Sequence, residues 1–114
     1  MRLTFLGHVG FLVETEHGSV LCDPWFTPAY FGSWFPFPRN DRLDPAPFTS
    51  PDYLYVSHLH RDHLDCEFLA RHVDKRAQVL LPDFPVPFLE RELRALGFEA
   101  FVRTRDAEPV DLGG

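Results

Sequence analysis

His58-Leu59-His60-Arg61-Asp62-His63 places three imidazoles and a carboxylate within six residues, directly after the apolar run Tyr53-Leu54-Tyr55-Val56. A short apolar run of this kind reads as a buried strand, so the histidines sit on the loop leaving its carboxyl end. Imidazole nitrogen and carboxylate oxygen are the donors that zinc and similar divalent ions prefer, and a catalytic ion keeps a position open for water beside about three protein ligands. If His58 and His60 project to one side of an extended turn, they can grip one ion while Asp62 and His63 reach a second. The spacing therefore predicts a two-metal centre.

Downstream of the motif the pattern alternates strand and helix. Asp65 can cap a helix over Cys66 to Val73, its carboxylate accepting from the free amides of the first turn, with Glu67 complementing the positive end of the dipole. Ala77 to Leu81 reads as a buried parallel strand closed by Pro82. A second helix is expected over about Pro87 to Leu96, with Leu89, Leu93 and Leu96 on one stripe, Glu90 and Arg94 pairing outside, and Gly97 as the stop. Phe98 to Val102 is the next expected strand. Such alternation implies right-handed crossovers and a partly parallel sheet, with ligand loops at the carboxyl ends of its strands.

Upstream, Arg2 to Glu14 and Ser19 to Asp23 carry apolar residues around the turn signal Glu16-His17-Gly18, predicting an antiparallel pair. Residues 24–51 change character: they are proline-rich and hold Trp25, Phe26, Tyr30, Phe31, Trp34, Phe35 and Phe37. A loop of this length in a compact domain is expected to be structured and docked. Trp25 and Trp34 can line a pocket or simply pack the loop down. His17 reads as a turn residue, His72 as a partner of a helix C-terminus, and Arg39 and Arg42 as solvated loop charges.

The composition is that of an ordinary globular segment. Of 114 residues 45% are hydrophobic and 25% charged, the formal net charge is −6, and no basic block suggests nucleic acid. No apolar run approaches the roughly 18 residues a membrane span needs, nor does the N-terminus read as a signal peptide, so a cytoplasmic location is the default expectation. Cys22 and Cys66 are expected to be reduced.

His58-x-His60-x-Asp62-His63 resembles the signature of the metallo-β-lactamase fold superfamily. Gly7-His8-Val9-Gly10-Phe11-Leu12-Val13-Glu14 followed by Val20-Leu21-Cys22-Asp23-Pro24-Trp25 is similar to the opening hairpin of its UlaG-like branch. Asp23-Pro24-Trp25 with Val56 to Leu64 is also similar to the metallo-β-lactamase-like part of CMP-N-acetylneuraminate hydroxylase-type proteins, in which the domain accompanies a Rieske iron–sulfur unit. The resemblance implies an α/β fold in which residues 1–114 form a single, incomplete domain, the N-terminal half of an αββα sandwich. Its mixed sheet would open with an antiparallel hairpin and continue as βαβαβ.

The same resemblance implies two zinc ions, with manganese or iron as alternatives, held by His58 and His60 and by Asp62 and His63. Asp62 would also serve catalysis by orienting the attacking water or carrying its proton. Asp23 would orient the histidine loop from behind the ligands, and His8 would lie near the pocket mouth. The remaining ligands would come from a missing C-terminal half or a second chain. The implied activity is hydrolysis of a small-molecule substrate. The alternatives are the metallo-β-lactamase-like part of a Rieske-containing CMP-sialic-acid hydroxylase-like oxidoreductase, marked by Cys-x-His and Cys-x-x-His pairs elsewhere, or a non-catalytic module with an exposed apolar sheet face.

Overall fold

The computed structural model describes residues 1–113, and its element order is that of a mixed α/β unit. Strands β1 (Arg2–Gly7), β2 (Gly10–Thr15) and β3 (Gly18–Cys22) form an antiparallel meander. Strands β4 (Tyr53–Tyr55), β5 (Gln78–Pro82) and β6 (Phe101–Thr104) continue the same sheet in parallel, giving the order β1-β2-β3-β4-β5-β6. Helix α1 (Cys66–His72) joins β4 to β5, and α2 (Phe88–Ala95) joins β5 to β6. The expected α/β sheet with an antiparallel opening and a βαβαβ continuation is present.

Several element boundaries differ from the sequence reading, three of them with a structural consequence. The run from Arg2 to Glu14 is two strands, because Gly7 at φ +104° and His8 at φ +56° turn the chain back before Gly10. A left-handed residue cannot continue a strand, and glycine reaches that region without a Cβ penalty. Pro82 belongs to β5, paired with Thr104 on the sheet's last strand. The final strand begins at Phe101, while Phe98 is buried under the helix side of the core.

Period-two patterning decides which residues form the core. Leu12, Leu21, Leu54, Val79 and Phe101 lie side by side across five strands in consecutive register, and the first four are buried. Against this row pack Phe68 and Leu69 of α1 and Leu89 and Leu93 of α2, so each helix buries one stripe. Each buried Leu of this kind contributes about 1.5–3 kcal/mol relative to exposure. The neighbouring row, Phe5, Phe11, Cys22, Tyr55 and Leu80, faces the other side of the sheet, where Phe5 is 49% exposed and the rest are half-buried. One face is thus a finished core, and the other is an apolar face only partly covered.

Register also gathers the loops that matter. Phe11, Cys22 and Tyr55 are consecutive partners, so the β1–β2 turn, Asp23 after β3 and the histidine loop after β4 emerge at one edge of the sheet. No helix among the described residues is long and apolar enough to cross a membrane.

Candidate metal centre

Asp23 is the hub of this edge. It is buried, its backbone takes φ +38°, and its N–H donates to Tyr55 O at 2.9 Å, which turns the side chain toward the loop after β4. Its Oδ1 accepts from Ser57 N at 2.8 Å, and its Oδ2 accepts from the Ser57 hydroxyl at 2.6 Å. Oδ2 also lies 2.9 Å from His63 Nδ1. A carboxylate on Nδ1 fixes the ring orientation and leaves Nε2 as the free donor nitrogen.

The histidine loop is compact. Amides of His63 and Leu64 both donate to His60 O, at 2.9 and 2.8 Å, forming a turn that brings the rings together. His58 lies 4.0 Å from His63 and 4.7 Å from His60 between ring centroids, and its Nδ1 contacts the Ser57 hydroxyl at 2.8 Å. Burial, then the neighbouring His63 and His60, hold the His58 imidazole below the usual histidine range. That favours the neutral, ligand-competent form.

Asp62 is buried and meets the opposite side of the site. Its Oδ2 is 3.0 Å from His8 Nε2 and 3.4 Å from His63 Nε2, and its Oδ1 accepts from the Tyr30 hydroxyl at 3.3 Å. Burial pushes this carboxyl up, but its own backbone hydrogen bond, His63, His8 and Tyr30 outweigh that and leave it below the ordinary aspartate value. It is therefore ionised at neutral pH, as a metal ligand must be.

The sequence-derived candidates His58, His60, Asp62, His63, Asp23 and His8 thus converge on one edge, with the rings of His58 and His60 4.7 Å apart and Asp62 Oδ2 3.4 Å from His63 Nε2. His8, Asp62 and His63 bring donor atoms within 4.8 Å of one another, and His58 and His60 stand beside them. Two participants escaped the sequence reading. Ser57 bridges Asp23 and His58, and its place beside the motif was the available signal. Tyr30 arrives from the aromatic loop in a left-handed turn, φ +53°, that no local pattern marks. Trp25 is buried and edge-on to His8 at 5.1 Å, whereas Trp34 is half exposed.

An apolar cleft of about 350 Å³ opens beside His58 and His60, walled by Leu59, Phe84, Val86 and Phe88. A larger hollow of about 460 Å³ lies in the aromatic loop between Phe26, Phe35, Phe37 and Asn40, and none of the candidate ligands lines it. The donor set fits a divalent ion: imidazole nitrogens, one ionised carboxylate, and a buried carboxylate behind His63.

A protein of Mycobacterium tuberculosis provisionally named a Rieske 2Fe-2S iron–sulfur protein is 60% identical over 114 residues, covering 100% of this chain and 22% of the relative. Cytidine monophosphate-N-acetylneuraminic acid hydroxylase of Danio rerio is 31% identical over 89 residues, covering 75% of this chain and 14% of that protein. The chain therefore spans less than a quarter of the length of these curated relatives. Among solved structures, isothiocyanate hydrolase from Delia radicum gut bacteria shares the fold with a TM-score of 0.68 at 24% identity, covering 96% of this chain and 44% of the other. The family described as beta-lactamase superfamily domain matches residues 2–103, and the chain belongs to that family.

Proposed function

We propose that this chain supplies the N-terminal part of a metal-dependent hydrolytic centre of the metallo-β-lactamase type. The observation that carries the reading is the arrangement of His63 between buried Asp23 on Nδ1 and Asp62 at Nε2, beside the edge-on rings of His58 and His60. Such a side chain is oriented for ligation before any ion arrives.

In this reading His58 and His60 hold one ion, Asp62 and His63 hold a second, and zinc is the first choice with manganese or iron as alternatives. Ions so bound would lower the pKa of a coordinated water towards neutrality and polarise the carbonyl or phosphoryl oxygen under attack. The chain's own residues do the rest. Asp62 orients the water and accepts its proton on the oxygen facing Tyr30, while Asp23 and Ser57 keep the imidazoles in their ligating tautomers. The apolar cleft beside His58 and His60 would take the non-reacting part of a small-molecule substrate. Further ligands are expected from sequence beyond this segment or from a second chain.

The test is metal content per purified chain by elemental mass spectrometry after brief dialysis, in wild type and in a variant with Asp62→Ala and His63→Ala. One or two ions per chain, with at least one lost in the variant, is the expected result. A variant that folds and keeps every ion would sink the reading, while a metal-free wild-type segment would move the same measurement to the longer protein that supplies the further ligands.

A second reading is favoured by one observation, the 60% identity to a protein provisionally named for a Rieske cluster. In it the segment is the metallo-β-lactamase-like part of a CMP-sialic-acid hydroxylase-like oxidoreductase. Paired Cys-x-His and Cys-x-x-His elements in sequence continuous with this chain would support it. Hydrolytic turnover without an electron donor would count against it.

A further inference from the structure

We propose that His8 is a direct metal ligand, and that His8, Asp62 and His63 form a three-donor site for one divalent cation of the zinc class within this chain. The proposal rests on the hydrolytic reading above and changes its ligand set: His8, expected near the pocket mouth, becomes part of the site's first contact with the ion.

Three observations carry it. The donor atoms of His8, Asp62 and His63 all lie within 4.8 Å of one another, with 3.0 Å from His8 Nε2 to Asp62 Oδ2 and 3.4 Å from Asp62 Oδ2 to His63 Nε2. Ligands about 2.0–2.2 Å from a tetrahedral ion stand about 3.3–3.6 Å apart, so two of the separations are already near those of a bound site. Both imidazoles are also set from behind. His63 is held through Nδ1 by Asp23, and His8 is held by its backbone, whose N–H donates to Phe37 O at 2.8 Å.

Finally, His8 occupies the left-handed region at φ +56°, which few residues with a Cβ adopt, although histidine is among those that do so more often. Asparagine or glycine would adopt that turn at less cost, so the backbone alone does not ask for histidine. What histidine adds is a side chain long enough to reach Asp62. Its ring is packed edge-on against buried Trp25, at 5.1 Å between centroids, which limits the directions Nε2 can take. Two imidazoles and one carboxylate leave a fourth position open, the arrangement of a catalytic rather than a structural zinc site.

The experiment titrates cobalt chloride into the purified chain, read by visible absorption, and follows the His8 ring nitrogens by long-range proton–nitrogen correlation during addition of one equivalent of zinc. The companion variant is His8→Asn, which suits the left-handed turn but is too short to reach the ion; circular dichroism verifies that it folds. His17→Asn, in the exposed β2–β3 turn, is the control. Expected are a shift of His8 Nε2 into the metal-bound range in wild type and at least a tenfold weaker cobalt affinity in His8→Asn, with His17→Asn unchanged. An unmoved His8 resonance while His58 and His60 shift would overturn the proposal and leave the hydrolytic reading standing. A folded wild-type chain that takes up no ion would overturn the proposal, and the hydrolytic reading would then be tested on the longer protein that supplies its further ligands.

Discussion

Removing the Asp65 carboxylate should be among the most damaging single changes away from the proposed metal site. This side chain is buried and accepts three backbone hydrogen bonds: Phe68 N at 3.0 Å on Oδ1, and Phe26 N and Thr27 N at 2.8 Å each on Oδ2. The first is the N-cap of α1, whose loss to alanine costs about 1 kcal/mol. The other two tie the aromatic loop to the helix start, and each amide left without its acceptor costs about 1–2 kcal/mol. Asp65→Ala should therefore lose about 3–5 kcal/mol, a large share of the roughly 5–15 kcal/mol that holds an ordinary domain together. At about 4 °C per kcal/mol for a chain of this size, the melting temperature should fall by about 12–20 °C. Asp65→Asn keeps one acceptor oxygen and should lose about half as much. Urea and thermal unfolding followed by circular dichroism measure both. A loss below about 1 kcal/mol for Asp65→Ala would show that the cap acts alone and that the loop is not fastened through this residue.

Asp23→Asn removes the charge behind His63 Nδ1, and zinc affinity should fall about 10–100-fold in competition with a chromogenic chelator; unchanged affinity would refute the orienting role. Gly7→Ala places a Cβ 3.1 Å from Pro38 O and 3.2 Å from Asn40 Nδ2 at φ +104°, and should cost about 1–3 kcal/mol in urea denaturation, with a loss under about 0.5 kcal/mol counting against it. Burial, then the charge of Asp23, push the Cys22 thiol up from its ordinary value. A raised pKa means less thiolate at any given pH, so the pH midpoint of Cys22 alkylation by iodoacetamide should lie above that of free cysteine. A midpoint at or below that of free cysteine would contradict this.

Much of the fold was legible because it is local. The Asp65 cap, the Leu89 and Leu93 stripe with its Glu90–Arg94 pair, and the short strand before His58 each follow from a few neighbouring residues. The β1–β2 turn was missed because Gly7-His8-Val9-Gly10 sits inside an apolar run whose period-two pattern continues across it, and only the left-handed dihedrals reveal the reversal. The site divides in the same way. His58, His60, Asp62 and His63 are adjacent in sequence, so their convergence could be anticipated. The reach of His8 to Asp62 spans 54 positions and that of Tyr30 spans 32, and no periodicity encodes such distances.

What sets those long-range distances is the 24–51 loop, which the sequence marked only as aromatic and proline-rich. It is fastened at several points around the site. Asn40, fully inside, donates through Nδ2 to Leu6 O at 2.7 Å and to Trp25 O at 2.8 Å, joining the end of β1 to the start of the loop. Phe37 O accepts from His8 N, Asp65 holds Phe26 and Thr27, and Tyr30 reaches Asp62. The loop therefore touches the β1–β2 turn on one side and the histidine loop on the other, and it fixes the gap between them. Asn40 Oδ1, without a partner among the described residues, adds a desolvation cost that the two Nδ2 bonds must offset. A segment without regular structure is thus what aligns His8 with Asp62. The geometry of the centre depends as much on these backbone bonds as on the histidine motif itself.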